Sequence, residues 1–305
     1  MDPQVSGPEV ERADARSVFR FKAIGTDWAI TTENPVLDGL RQRIGALTED
    51  FDHVWSRFRA DSLITRIAHA ENGGQYEFAE RDVALFELYD RLVAATGGAV
   101  DPLVGRDLEL LGYDADYTLA PDEVAIARRQ HWECWLSDID RTESTITTVR
   151  PVMIDVGAAG KGHLVDLIAQ KLRDVGIGAF LVDGSGDLRH CGPEPLTVGL
   201  AHPSLPGRVI GTVPLRNAAL CASATTRRAW GKGLHHVLDG RTRQPVADVI
   251  ATWVMAADAA TADGLATALF VSAPESLRSF EFSWVRMLAD GSVQWSNDFA
   301  GELFL

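Results

Sequence analysis

A chain of 305 residues with 43 acidic and 29 basic side chains carries a net charge of −14 at pH 7 and has no Lys/Arg-rich block. It offers neither nucleic acid nor an anionic membrane a complementary surface, although a local basic site for a phosphate stays open. With 46% apolar and 24% charged residues, it has the makeup of a soluble globular protein that buries one large core or two modest ones.

Residues 1–17 include Asp2, Glu9, Glu11, Arg12, Asp14 and Arg16 and no apolar run. They read as a disordered tail rather than a signal peptide, ahead of a single domain over residues 18–305 in a cytoplasmic protein. No stretch reaches the ~18 apolar residues of a membrane span. Cys134, Cys191 and Cys221 are odd in number and lack a Cys-x-x-Cys pair. They indicate buried thiols in a reducing compartment, with no disulfide framework or zinc site.

Residues 19–32 read as two strands broken at Gly25. Residues 36–58 form an amphipathic helix with Leu40, Ile44, Leu47 and Phe51 at helical intervals, and residues 79–96 repeat the pattern until Gly97-Gly98 stops it. A shorter helix follows at 121–129, then paired strands within 132–149. A strand at 152–155, a helix at 162–175 and a strand at 179–182 make one strand–helix–strand unit. Strands then dominate at 197–201, 209–213, 219–223, 235–238 and 252–257. A helix at 260–270, a short helix near 274–280 and strands at 284–288 and 292–295 complete the chain. The mixture predicts an α+β architecture, compact or divided into two lobes.

Four segments carry chemistry. Asp155-Val-Gly-Ala-Ala-Gly-Lys161-Gly162 sits between a strand and a helix, where glycines allow close ligand approach and the helix N-terminus suits an anion. Its spacing is not that of a Walker A loop, and a tight turn with a solvated lysine is the alternative. Asp183-Gly184-Ser185-Gly186-Asp187 ends the next strand, either as a turn or as a ligand approach. His235 and His236 begin a strand, so they point to opposite faces; one suits a site while the other faces solvent. Asp263 and Thr267 lie one turn apart on a helix face, as hard oxygen ligands suited to Mg²⁺. The alternative is a helix cap with a threonine bonding back to the backbone.

In order along the chain, these segments resemble the ApbE family, the FAD:protein FMN transferases. Ile24-Gly25-Thr26 is similar to the family's Met-Gly-Thr, and Gly98-Ala99-Val100-Asp101 to its Gly-Ala-Phe-Asp. Asp155 to Gly162 matches its Asp-x-Gly-x-x-x-Lys-Gly loop, and Ser185-Gly186-Asp187 its Gly-Gly-Asp. His235-His236-Val237-Leu238-Asp239 matches His-His-Ile-x-Asp, and Ala262 to Thr267 matches Ala-Asp-x-Leu-x-Thr in full. Three departures stand out: Ser185 for a glycine, Ala222-Ser223-Ala224 for Thr-Ser-Gly, and Gly240-Arg241-Thr242-Arg243 for Pro-x-Thr-Gly.

The resemblance implies an enzyme that cleaves FAD and transfers FMN to a Thr or Ser hydroxyl of an acceptor protein, releasing AMP. FAD hydrolysis to FMN and AMP, or FAD binding without catalysis, are the alternatives. It also implies a nucleotide site, set between the lobes where there are two. Mg²⁺ would be held by Asp263, Thr267 and the Ala158 carbonyl, with His236 as general base. Ile24, Phe58, Ala99, Val100, Asp101, Lys161, Asp187 and His236 would contact the nucleotide.

Overall fold

The computed structural model describes residues 16–129 and 131–304. The tail expected over residues 1–17 lies outside the described residues except for its last two positions, and Ser17 already opens a strand. β1 (Ser17–Ala23) and β2 (Thr26–Thr32) form a hairpin that turns through Ile24 and Gly25 at φ 43° and 71°. Two positive φ values are what a two-residue type I′ turn demands, and they are unusual for a β-branched residue. α1 (Asp38–Trp55) buries Leu40, Ile44, Leu47, Phe51 and Trp55 along one face. α2 (Leu63–Ala68) and β3 (Gly74–Glu77) lead to α3 (Val83–Thr96), which stops where Gly97 takes the left-handed conformation, φ 59°.

α4 (Gly105–Leu110), α5 (Glu123–Arg128) and the single turn α6 (Trp135–Asp138) follow. Helix α6 lies where the sequence suggested strand pairing. That pairing is confined to β4 (Asp140–Thr142) and β5 (Thr145–Thr148), with β3 on the other side of β5. Residues 152–155 are not the expected strand. Val152, Met153 and Ile154 are buried, yet no strand flanks them, and the Asp155 amide bonds instead to the Pro102 carbonyl at 2.7 Å. A short apolar run records burial but not the partner of its backbone. No strand–helix–strand unit results.

α7 (Gly160–Asp174) runs into β6 (Phe180–Asp183) and β7 (Leu188–Cys191), followed by β8 (Leu196–Ala201), β9 (Val209–Leu215) and β10 (Ala219–Ala224). Two small hairpins come next: β11 (Ala229–Trp230) with β12 (Leu234–His235), and β13 (Leu238–Asp239) with β14 (Gln244–Pro245). The strand expected at 235–238 is therefore broken, and His236 occupies the link between hairpins. β15 (Val249–Ala256), α8 (Ala259–Val271), β16 (Phe282–Leu288), β17 (Val293–Trp295) and β18 (Glu302–Leu303) close the fold. The main sheet has the order β1-β2-β6-β7-β10-β15-β16-β17, with every neighbour antiparallel. The architecture is α+β, as the sequence predicts. Cys221 is buried, but Cys134 and Cys191 are only half-buried, and all three are free.

α8 is apolar around its whole circumference, and all its residues except Thr261 and Thr267 are buried. Such a helix belongs inside a protein. It packs on β10 and β15 and against α3 and α7. Its N-cap is Asp258, which accepts from the Thr261 amide at 2.7 Å, so Asp263 is not the cap of its own helix. Helices α7 and α8 satisfy each other's free ends. Asp166 of α7 accepts from the Ala259 and Ala260 amides of α8 at 3.0 and 2.8 Å. Asp263 of α8 accepts from the Gly162 amide of α7 at 3.0 Å.

The helices meet backbone to backbone at Gly162, where a Cβ would lie 2.1 Å from the Ala259 carbonyl oxygen. Gly162→Ala must push them apart. It is expected to destabilise the fold by about 1–3 kcal/mol or more, read as a lowered thermal midpoint. An unchanged midpoint would show that the contact is not tight.

Candidate active site

A chamber of 610 Å³ opens beside the β1–β2 turn and the start of α7. Ile24 lines it at the turn, and Phe58 lines it just beyond the end of α1. Phe58 lies parallel to Tyr117, with centroids 5.4 Å apart and planes 8° apart, and meets Tyr113 edge-on. Tyr113 in turn stacks on Trp230 at 5.5 Å. These flat faces form a wall suited to a planar ring system.

Beneath the wall lies an ion pair. Arg57 Nε donates to Asp155 Oδ2 at 2.6 Å, and Arg57 Nη1 donates to the Tyr113 carbonyl at 2.6 Å. Burial acts to raise the Asp155 pKa, but Arg57 and the Gly157 amide outweigh it and hold the carboxyl below its ordinary range. Lys161, in the first turn of α7, also lines the chamber. Its Nζ lies 2.5 Å from Asp187 Oδ2, and its side chain is 22% exposed. The solvated lysine of the sequence reading is thus a paired one. Burial works against the ammonium, yet Asp187 and Asp263 outweigh it and hold its pKa above the usual value. Asp187 is fully buried in the turn between β6 and β7, so it meets the chamber only through Lys161.

A second cavity of 80 Å³ shares Tyr113, Asp155, Gly157 and Arg228 with the first. His236, Ser223, Ala158 and Thr267 line it. Thr267 Oγ1 faces the Ala158 carbonyl oxygen at 3.5 Å rather than bonding back along its own helix. Asp263 is one turn earlier on α8 and 3% exposed. Its pKa is pushed well up, first by burial and then by Asp187, with Lys161 and the Gly162 amide opposing. That environment is short of positive charge. Thr267 Oγ1 and the Ala158 carbonyl thus meet at the small cavity, and Asp263, one turn earlier, carries the hard, anionic oxygens that would suit Mg²⁺. Among the described residues, no three His, Cys, Asp or Glu side chains gather as an alternative metal site.

His236 Nδ1 is buried and has no hydrogen-bond partner. Burial, reinforced by the Arg228 charge, lowers its pKa from 6.5 to about 4, so the imidazole is neutral at pH 7. His235 turns away and bonds through Nε2 to the Val246 carbonyl at 2.8 Å. Ala99, Val100 and Asp101 border the small cavity. The Asp101 carboxylate is spent on the Leu103 and Trp135 amides.

The departures from the family pattern have local reasons. Gly240 donates its amide to the Ala99 carbonyl at 2.8 Å, a bond proline cannot make, and a Cβ there would sit 2.4 Å from the Gly98 carbonyl oxygen. Arg243 holds φ 59°, a glycine-like conformation, anchored by Asp107 Oδ2 at 3.1 Å and the Glu133 carbonyl at 2.6 Å. Arg57, Arg228 and the wall residues Tyr113, Tyr117 and Trp230 were not singled out by the sequence.

A model of the ApbE family matches residues 24–283. The FAD:protein FMN transferase of Klebsiella pneumoniae is 26% identical over 283 residues, covering 86% of this chain and 80% of that protein. The FAD:protein FMN transferase of Haemophilus influenzae is 26% identical over 247 residues, covering 75% and 71%. Among solved structures, the ApbE protein of Thermotoga maritima superposes with a TM-score of 0.81 at 25% identity over 93% of this chain and 97% of that one. The flavin transferase ApbE of Vibrio cholerae does so with 0.80 at 21%, over 93% and 98%.

Removing Arg57 leaves the Asp155 carboxylate buried and unpaired. Arg57→Ala is expected to cost about 3–5 kcal/mol in denaturant unfolding. Arg57→Ala paired with Asp155→Ala should cost less than the sum of the two single changes. Additive costs would show that the pair is not coupled.

Proposed function

Because the chain belongs to the ApbE family, we propose that it is an Mg²⁺-dependent flavin transferase that uses FAD as donor. FAD is cleaved at its pyrophosphate, FMN passes through a phosphoester bond to a Thr or Ser hydroxyl of an acceptor protein, and AMP leaves. The observation that carries this reading is the meeting of His236, Thr267 and the Ala158 carbonyl at one small cavity beside an aromatic-walled chamber.

In this reading the isoalloxazine lies in the chamber against Ile24 and Phe58. Lys161, oriented by Asp187, faces the nucleotide. Ala99, Val100 and Asp101 back the small cavity, which has room for the end of a Thr or Ser side chain. Asp263, Thr267 and the Ala158 carbonyl would hold Mg²⁺, which when bound neutralises phosphate charge at the reacting phosphorus. His236, neutral and with a free ring nitrogen, takes the proton of the acceptor hydroxyl as it attacks. Thr267 and Ala158 fix the position of that chemistry relative to the base.

The same reading treats residues 18–305 as one catalytic domain in a reducing, cytoplasmic setting. A continuous apolar core that includes Trp28 and Phe280, and three free cysteines, support it. Among the described residues, no helix is long and apolar enough to cross a membrane.

Incubation with FAD, Mg²⁺ and an acceptor protein bearing a Thr/Ser flavinylation motif should leave flavin fluorescence on the denatured acceptor band. Release of FMN and AMP with no covalent flavin on any acceptor would replace transfer by hydrolysis. Asp263→Asn should nearly abolish turnover, and Thr267→Val should weaken metal dependence less, since a neutral hydroxyl is the poorer ligand. His236→Asn should bind FAD normally but transfer ~10²–10⁴-fold more slowly.

The pH profile tests the base directly. The imidazole must be unprotonated to act, and its pKa is lowered to about 4. With saturating metal, kcat/KM should therefore stay flat through the neutral range and fall only as pH drops through about 4. A break near the ordinary histidine value of 6.5 would show that the ring is not desolvated.

A further inference from the structure

Among the described residues, one cation at the site has no partner. Arg57 is committed to Asp155 and the Tyr113 carbonyl, and Lys161 to Asp187. Arg59, also at the chamber, is held by Asp61, Glu49 and Asp52. The neighbouring Arg227 donates to the Ser185 carbonyl at 3.1 Å. Arg228 ends the short helical turn Thr225–Arg228 that follows β10. Among the described residues, its guanidinium makes no ion pair and no hydrogen bond. It nevertheless borders both cavities, at the junction where they share Tyr113, Asp155 and Gly157. Its charge is felt at Asp155, Asp263 and His236.

The charge balance gives this position meaning. Asp155 and Asp187 have Arg57 and Lys161 as ion-pair partners, whereas among the described residues Asp263 has no cation against it. A diphosphate spanning the junction brings two more negative charges. A divalent cation on Asp263 offsets two of these three, and one positive charge is still needed at the same place. Arg228 is the group that supplies it, and a planar guanidinium is suited to bridge phosphate oxygens.

We propose that Arg228 binds the diphosphate of FAD at the junction of the two cavities, and that it selects a dinucleotide with a charged bridge over the bare flavin ring. The proposal rests on the FAD-transfer reading and adds to it a residue that holds the donor's phosphates so that the flavin-side phosphorus faces His236.

The test is binding, read by flavin fluorescence with no acceptor present, using FAD and riboflavin as probes of wild-type protein and Arg228→Ala in Mg²⁺ buffer. Riboflavin carries the ring without phosphate, so its affinity reports an intact chamber. Arg228→Ala is expected to bind riboflavin as wild type does and FAD about 10- to 100-fold more weakly, the worth of a charge-assisted hydrogen bond. Equal FAD affinity in the two proteins overturns the assignment, and so does a parallel loss of FAD and riboflavin, which would make Arg228 part of the chamber wall. Wild-type protein that binds neither probe fails at the earlier step and overturns the flavin reading itself.

Discussion

The reciprocal capping of α7 and α8 is the interaction on which the site depends. Asp166 closes the N-terminus of α8, Asp263 closes that of α7, and Gly162 lets the backbones touch. Helix amides left bare at a buried end are costly, so each carboxylate has a structural reason to be where it is. The same arrangement sets Lys161 at the large chamber and Ala158 and Thr267 at the small cavity, with Asp263 one turn before Thr267 on α8. A carboxylate that caps a helix with one oxygen keeps lone pairs for a cation. The functional geometry is thus fixed by a contact the fold already needs.

Electrostatics at the site follow from burial. Asp155, Asp187 and Asp263 lie where water is scarce, and only the first two have a cation against them. An all-apolar helix with a single charge at Asp263 is a poor choice for stability alone, because an unpaired buried carboxylate costs free energy. Local strain at Ile24 and Arg243, both at positive φ, adds to that cost. These are the marks of a molecule that gives up some stability to hold reactive groups in place. The imidazole of His236 shows the other side of the same physics. Desolvation, which penalises the carboxylates, keeps this ring neutral.

Periodicity made the helices readable, because α1, α3 and α8 place apolar residues at regular intervals or throughout. Asp263 and Thr267 could be read as a pair because one helical turn puts them on one face. The misread segments failed for definite reasons. Residues 152–155 are as apolar as a core strand, but their backbone bonds go to a loop. β3, Gly74–Glu77, has no apolar alternation to announce it and exists because β5 offers it an edge. Arg57 has its meaning only beside Asp155, a residue 98 positions away. Arg228 depends on the convergence of two cavities, which no local pattern encodes.

Helix α8 lies late in the chain and at the centre of the core, and this bears on how the protein is made. Until Val271 has left the ribosome, the sheet face formed by β10 and β15 has no cover and the N-terminus of α7 has no carboxylate. The long separations between partners make this a slowly folding topology with exposed apolar surface in its intermediates. His236 and Thr267, which line the small cavity, both come from the last third of the chain, so that cavity exists only once synthesis is nearly complete. The closing of that cavity therefore marks the completion of the fold.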